Sequence, residues 1–334
     1  MTSILGKLST SRRAFMTGAG ALALAGAASR VGAQSAADRL VVYSTTFPAV
    51  QNQLAAAFAE RTGIEVQSLR LATGPLAQRF IAEQQAGQYL CDVITLGHDI
   101  FFDQISEQGL LADIDDIPGV ASLPVDWRPG ARFVTILIAP HSIGYNTDLV
   151  TGDSIPTTWE DLLKPQFRGQ ILLADPRANE PILLFLHTLR QGLGDEFLRG
   201  LADQEIRYVP AIPQGVEEVI AGDAQLYLPA LSMNLIQYQN TDAPIAIIPA
   251  PAPTNGTYFF SGIAANAPNS EGARQWYEFL LSPEGQEILC RDNGVSPLGE
   301  IPGSLRMPSQ LVHPSLAEVR QAAGEIYDLL RIPA

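Results

Sequence analysis

The sequence predicts an α/β fold of two lobes, each built on a doubly wound, mostly parallel sheet. Three observations lead there. Strand-like and helix-like patterns alternate from residue 39 to residue 97 in the order βαβαβ, the order of a parallel sheet covered by helices. The same alternation restarts after residue 133. The chain has 334 residues, more than one hydrophobic core usually serves, so two cores are expected.

Each element has its own signal. "RLVVYSTT" reads as a buried strand and "PAVQNQLAAAFAERTG" as a helix, in which Val50, Leu54 and Phe58 recur every fourth residue, Pro48 suits the first turn and Gly63 the stop. "IEVQSLRL" predicts a strand, "PLAQRFIAEQQAG" a helix opened by Pro75, and "DVITLG" a third strand. Further on, "FVTILIAPHSIGYNTDLV" is a long strand-like run, "QILLADP" a strand, and "PQGVEEVIAGDAQLYLPA" a helix and a strand. "TYFFSGIAANAP" predicts another long strand, and "SEGARQWYEFLLSPEGQEILCRDNG" helices with Trp276, Phe279 and Leu280 on one face.

In doubly wound sheets ligands sit beyond the carboxyl ends of the strands, where helix N-termini offer unpaired N–H groups to anions. Those places here are Ser44, Thr45, Thr46 and Phe47, then Thr73 and Gly74, then Gly97 and His98. Ser and Thr before a helix are also ordinary caps; three such turns on one sheet edge are what point to a shared site. A further turn, "DPRANEP", holds Arg177, Asn179 and Glu180. Glu180 either points away as a first-turn acid favoured by the helix dipole or meets an amino group of a zwitterion.

The first 33 residues have a charged start with Arg12 and Arg13, an uncharged span from Ala14 to Ser29, and small residues before a cleavage point near Ala33. That is the layout of an export signal of the twin-arginine type. Cleavage there would leave 17 basic and 35 acidic residues, a net charge near −18, with Lys164 the only lysine. Such a chain is unsuited to nucleic acid or an anionic membrane surface. Cys91 and Cys290 would then sit where a disulfide is possible, and two buried free thiols are the alternative. Nucleophile elbow, zinc-protease, P-loop, dinucleotide-binding and CxxC motifs are all lacking in the sequence, so no enzyme, cofactor or resident metal is expected. His187, in "LLFLHTL", reads as a core or helix-face residue, and His141 stands near a crossing between lobes.

"LVVYSTTFPAVQNQLAAAFAERTGIEV", "CDVITLGHD", "IGYNTDLV", "TTWEDLLKPQFRGQILLADPR", "VIAGDAQL" and "EFLLSPEGQEI" occur in this order from residue 39 to about 298. In them the chain resembles the periplasmic solute-binding proteins of ABC importers, in the branch that includes the ferric-iron binders. The resemblance implies two lobes, residues 38–138 plus 259–310 and residues 139–258, hinged at crossing strands, with a tail, 311–334, packing across them. It also implies a monomer that carries a small molecule to a membrane permease, or else presents its closed form to a membrane receptor.

Ferric-iron members hold the metal with oxygen donors and often a histidine. Laid on those patterns, the histidine position falls on Phe47, the glutamate on Gly97 and the tyrosine pair within Leu235–Gln237, with Tyr238 out of register. Phe, Gly and Leu cannot ligate a trivalent cation. The expectation is therefore a carboxylate, phosphonate or phosphate ester held by Ser44, Thr45, Thr46, Phe47, Thr73, Gly74, His98, Arg177, Asn179 and Asn234, with Glu180 and Tyr238 beside them; ferric iron or an iron chelate is the alternative. Asn234 is included because it stands where family members contact the bound anion.

Overall fold

A computed structural model of the chain describes residues 36–97, 99–238 and 241–332. The export-signal expectation lies outside the described residues. Strands β1 (Arg39–Ser44), β2 (Glu65–Leu69) and β3 (Val93–Leu96) run parallel, joined by helices α1 (Pro48–Thr62) and α2 (Thr73–Gln85). After α3 (Asp99–Glu107) and the short α4 (Pro118–Ala121), strand β4 (Val134–Pro140) ends the first passage through this lobe.

The chain then crosses. Strand β5 (Ser142–Asn146) belongs to the second sheet, with β6 (Ile171–Ala174), α5 (Glu180–Leu193), α6 (Asp195–Asp203), β7 (Arg207–Val209), α7 (Ile212–Ala221), β8 (Leu226–Ala230) and β9 (Ile245–Ile247). It returns through residues 248–255 to β10 (Gly256–Ile263), followed by α8 (Ser270–Leu280) and α9 (Pro283–Cys290). The strand orders are β2-β1-β3-β10-β4 and β7-β6-β8-β5-β9. Each sheet is mixed: β10 is antiparallel to β3 and β4, and β5 to β8 and β9.

The long strand-like run from residue 133 is thus two strands in two sheets, divided at His141. The second crossing precedes β10, because Pro249, Pro251 and Pro253 remove the N–H groups that a strand there would need.

Side-chain alternation decides which face of the first sheet each strand residue covers. Leu40 and Val42 pack with Phe58 of α1 and Trp276 and Phe279 of α8, whereas Tyr43, Ile94 and Leu96 pack with Leu76 and Phe80 of α2 and Phe102 of α3. Gly63 ends α1 at φ +76°, a conformation that suits glycine. The second lobe has a separate core, which includes Trp159, Phe185 and Leu226. Helix α10 (Leu316–Leu329) adds Val319 and Ile326 to that core, so the C-terminal helix packs on the second lobe. Its lead-in pairs with the second crossing: Thr254 N donates to Gln310 O (3.0 Å) and Val312 N to Thr254 O (2.8 Å).

Cys91 and Cys290 are buried free thiols. They belong to different clusters, on opposite faces of the first sheet. No helix among the described residues is long and apolar enough to cross a membrane.

Candidate functional site

On the first lobe, the end of β1 becomes a polar turn because Ser44 closes the strand and Thr45 and Thr46 follow before Pro48 starts α1. Ser44 Oγ accepts the N–H of Thr46 at 3.0 Å. Thr45 N donates to Thr95 O at 3.0 Å, which sets this turn beside the end of β3 and Gly97. Thr45 Oγ1 is buried without a partner. Phe47 caps α1 through its backbone alone, and the Arg70 guanidinium lies 5.5 Å above its ring. Arg70 Nε also donates to Thr46 O at 3.3 Å. Thr73 and Gly74 open α2, again without a side-chain cap. This edge therefore combines one cation, four hydroxyls and the first-turn N–H groups of two helices, a set that favours an anion. Gly74 has open space where a Cβ would stand, so no steric requirement selects glycine there.

On the second lobe, β6 runs into the Asp175–Asn179 turn. Arg177 is exposed and forks onto Asp175, with Nε 3.0 Å from Oδ1 and an Nη 2.7 Å from Oδ2; the guanidinium holds the Asp175 carboxyl below its ordinary value. The Asn179 amide donates to Asp175 O (2.9 Å) and Pro210 O (3.2 Å), which fixes the turn. Glu180 is the first residue of α5 and accepts from Arg320 of α10 at 2.8 Å.

Asn234 and Tyr238 lie on the 3-10 turn Ser232–Tyr238. Tyr238 borders a separate hollow of about 310 Å3, where Leu235 and Ile247 face Asp292 and Leu305 of the first lobe. His98 lies outside the described residues.

Between the lobes is a cavity of about 150 Å3 that brings together Gly97 and Tyr258 of the first lobe, Glu180 and Leu184 of the second, and His141 and Asn255 of the two crossings. Of the residues named from the sequence, Gly97, His141 and Glu180 line it. Ser44–Phe47, Thr73–Gly74, Arg177, Asn179, Asn234 and Tyr238 do not.

His141 Nδ1 is 2.7 Å from Asn255 Oδ1, and Thr254 Oγ1 donates to His141 O at 2.8 Å. Burial pushes the imidazole down to about 4, with the Asn255 contact opposing the shift. Burial also pushes the Tyr258 phenol up to about 12. At neutral pH both side chains are uncharged, so they present hydrogen-bonding groups rather than a cation or a phenolate.

Where the resemblance would place iron ligands, Phe47 is half-buried under Arg70, and a Cβ on Gly97 would stand 3.2 Å from Thr257 Cγ2. Among the described residues, no group of three or more His, Cys, Asp or Glu is arranged to hold a metal ion. His187 is buried on α5 with Nδ1 unpartnered.

The sequence reading missed Arg70, Asn255, Tyr258 and His313. Arg70 precedes the Thr73–Gly74 turn by three residues and had a readable signal, being the one cation at the end of β2. Asn255 and His313 had none, because their place depends on contacts over long chain separations.

Comparison with known proteins agrees with this architecture. A family model for bacterial extracellular solute-binding proteins matches residues 39–295. The chain belongs to that family, whose members are solute-binding proteins and not enzymes. It is similar in structure to the substrate binding protein of the ABC transporter from Agrobacterium tumefaciens, with TM-score 0.71 and 18% identity over 88% of this chain and 95% of that one. It is also similar to the periplasmic binding protein AfuA of Actinobacillus pleuropneumoniae, whose structure has exogenous fructose-6-phosphate bound (TM-score 0.64, 19% identity, 88% and 99% covered). In sequence it is 24% identical to the iron uptake protein A1 of Synechocystis, over 75% of this chain and 73% of that protein.

Proposed function

We propose that this protein works in the periplasm as the capture component of an ABC importer. It takes a small organic anion or zwitterion (a carboxylate, phosphonate or phosphate ester) between its lobes and delivers it to a membrane permease. The observation that carries this reading is Arg70 placed over Phe47 beside the starts of α1 and α2. A cation, helix N-termini and an aromatic face together suit an anionic group attached to an organic body.

In this reading Arg70, Ser44, Thr45, Thr46, Thr73 and Gly74 receive the anion from the first lobe, and Phe47 covers the apolar part. Arg177, Asn179 and Asn234 approach from the second lobe when the crossings flex, with Tyr238 at the margin; His98 belongs to the same ligand set. Arg177 shares its guanidinium between Asp175 and the ligand. Glu180, already held by Arg320, receives an amino group if the ligand is zwitterionic. Closure is driven by a ligand that touches both lobes, since only contacts stronger in the closed form shift the equilibrium. Export through the 1–33 signal and action as a monomer belong to the same reading.

A second reading is an iron chelate that brings its own donors, favoured by the iron uptake relative. Presentation of the closed form to a membrane receptor is a third use of the same clamp. A thermal-shift panel separates the ligand classes, because a ligand that binds only the folded state adds about 2.7 kcal/mol at a hundredfold excess over Kd. An organic anion should raise the unfolding temperature. Stabilisation by ferric citrate but not by citrate would replace this reading with the chelate.

A further inference from the structure

The interlobe cavity has a third wall that belongs to neither sheet. His313, Pro314 and Leu316 of the C-terminal segment line it together with Gly97 and Glu180. The His313 ring stacks on Tyr258, with centroids 4.3 Å apart and planes at 14°. The segment is fastened at both ends. Before His313, Thr254 is bridged on both sides of its peptide by Gln310 and Val312. After it, two guanidinium nitrogens of Arg320 reach Glu180 Oε1 at 2.8 and 2.7 Å, and Val319 and Ile326 are fully buried in the second lobe's core. A larger hollow, of about 1030 Å3, is lined by Gln310, Val312, Ser315 and again His313 and Pro314. The segment is therefore a strap whose His313 and Pro314 border two hollows.

We propose that residues 310–320 are part of the ligand site: His313, presented on Tyr258, contacts the ligand, and Arg320 is a positioning residue that holds Glu180 and the strap in place. The proposal rests on the interlobe cleft being the binding site and adds to it a wall outside both lobes' strand-end turns. The stacked pair offers a flat aromatic surface, which suits the apolar or planar side of an organic ligand. Arg320 offsets the Glu180 carboxylate, so that the start of α5 no longer repels an anion. Because α10 fixes the strap, its docking and ligand binding become linked.

Two measurements on the full chain test this. The first needs no ligand. Arg320→Glu, at an exposed side chain, should speed amide exchange of Thr254 and Val312 by about tenfold or more while Val42 in β1 stays protected, as expected of a local opening. Unchanged exchange at both amides would overturn the positioning role.

The second uses His313→Cys, since position 313 is exposed while Cys91 and Cys290 are buried. Citrate, fructose 6-phosphate and inorganic phosphate are the probes. A probe that raises the variant's unfolding temperature should slow iodoacetamide labelling of the new thiol by about tenfold. Stabilisation with unchanged labelling would overturn the ligand contact. If none of the probes stabilises the wild type, it is the anion reading of the cleft that fails, and the exchange result alone decides the strap.

Discussion

His141 and Asn255 meet through Nδ1 and Oδ1 at 2.7 Å, each standing on a different one of the two crossings that join the lobes. The contact is reinforced by the backbone, where His141 N donates to Asn255 O at 2.9 Å. Phe185 of the second lobe meets the imidazole edge-on at 5.6 Å. The two crossings are therefore tied into one buried unit.

That burial has a pH consequence. The folded value of His141, about 4, lies below its ordinary 6.5, so on acidification the unfolded chain takes up the proton first. The contribution to stability is fully present above about pH 6.5 and is lost as pH falls toward 4, by up to about 3 kcal/mol at 1.4 kcal/mol per unit. Urea unfolding at pH 7 and pH 4.5 should show this loss, and His141→Gln should reduce it. Part of the slope will remain, because burial lowers His187 as well.

Asp92 ties the start of the first lobe together. Its carboxylate accepts the N–H of Val41 and of Asn269, both at 2.7 Å, and the residue is 1% exposed. Asp92→Ala leaves two amides without partners and should cost about 2–4 kcal/mol in chemical unfolding. A loss below half a kcal/mol would show that these amides find other acceptors.

Arg70→Ala should weaken binding of an organic anion by tenfold or more, on the order of 1.5–3 kcal/mol for a charged hydrogen bond. Arg177→Ala should do the same from the second lobe. Calorimetric titration of both variants checks this, and unchanged affinity would remove the corresponding arginine from the site.

Both thiols should be unreactive toward a thiol reagent in the folded protein and react together on unfolding. Burial raises Cys91 well above its ordinary value and pushes Cys290 up to about 12, so little thiolate is present at neutral pH. Absence of any thiol in the unfolded chain would contradict the free pair.

Local patterns carried much of the fold. Val50, Leu54 and Phe58 at four-residue spacing marked α1, and the hydroxyl and glycine residues after β1 and β2 marked the turns that open α1 and α2. The break at His141 was not legible, because "IAPHSIG" is as apolar and strand-like on either side of the crossing as within one strand. Nor was the partner of each charge. Arg177 looked available for a ligand, but its fork onto Asp175 depends on a turn conformation that spacing alone does not specify. Arg320 meets Glu180, and His313 lines the cavity, only because α10 docks on α5, a contact between residues about 140 positions apart.

The most direct test of the central claim is the unfolding temperature of the purified protein with ferric ion alone and with carboxylates, phosphonates and phosphate esters, with visible absorption recorded alongside. The account predicts stabilisation by an organic anion and neither stabilisation nor phenolate colour from ferric ion. Strong stabilisation by bare ferric ion, with the colour, and none by the organic anions would contradict it.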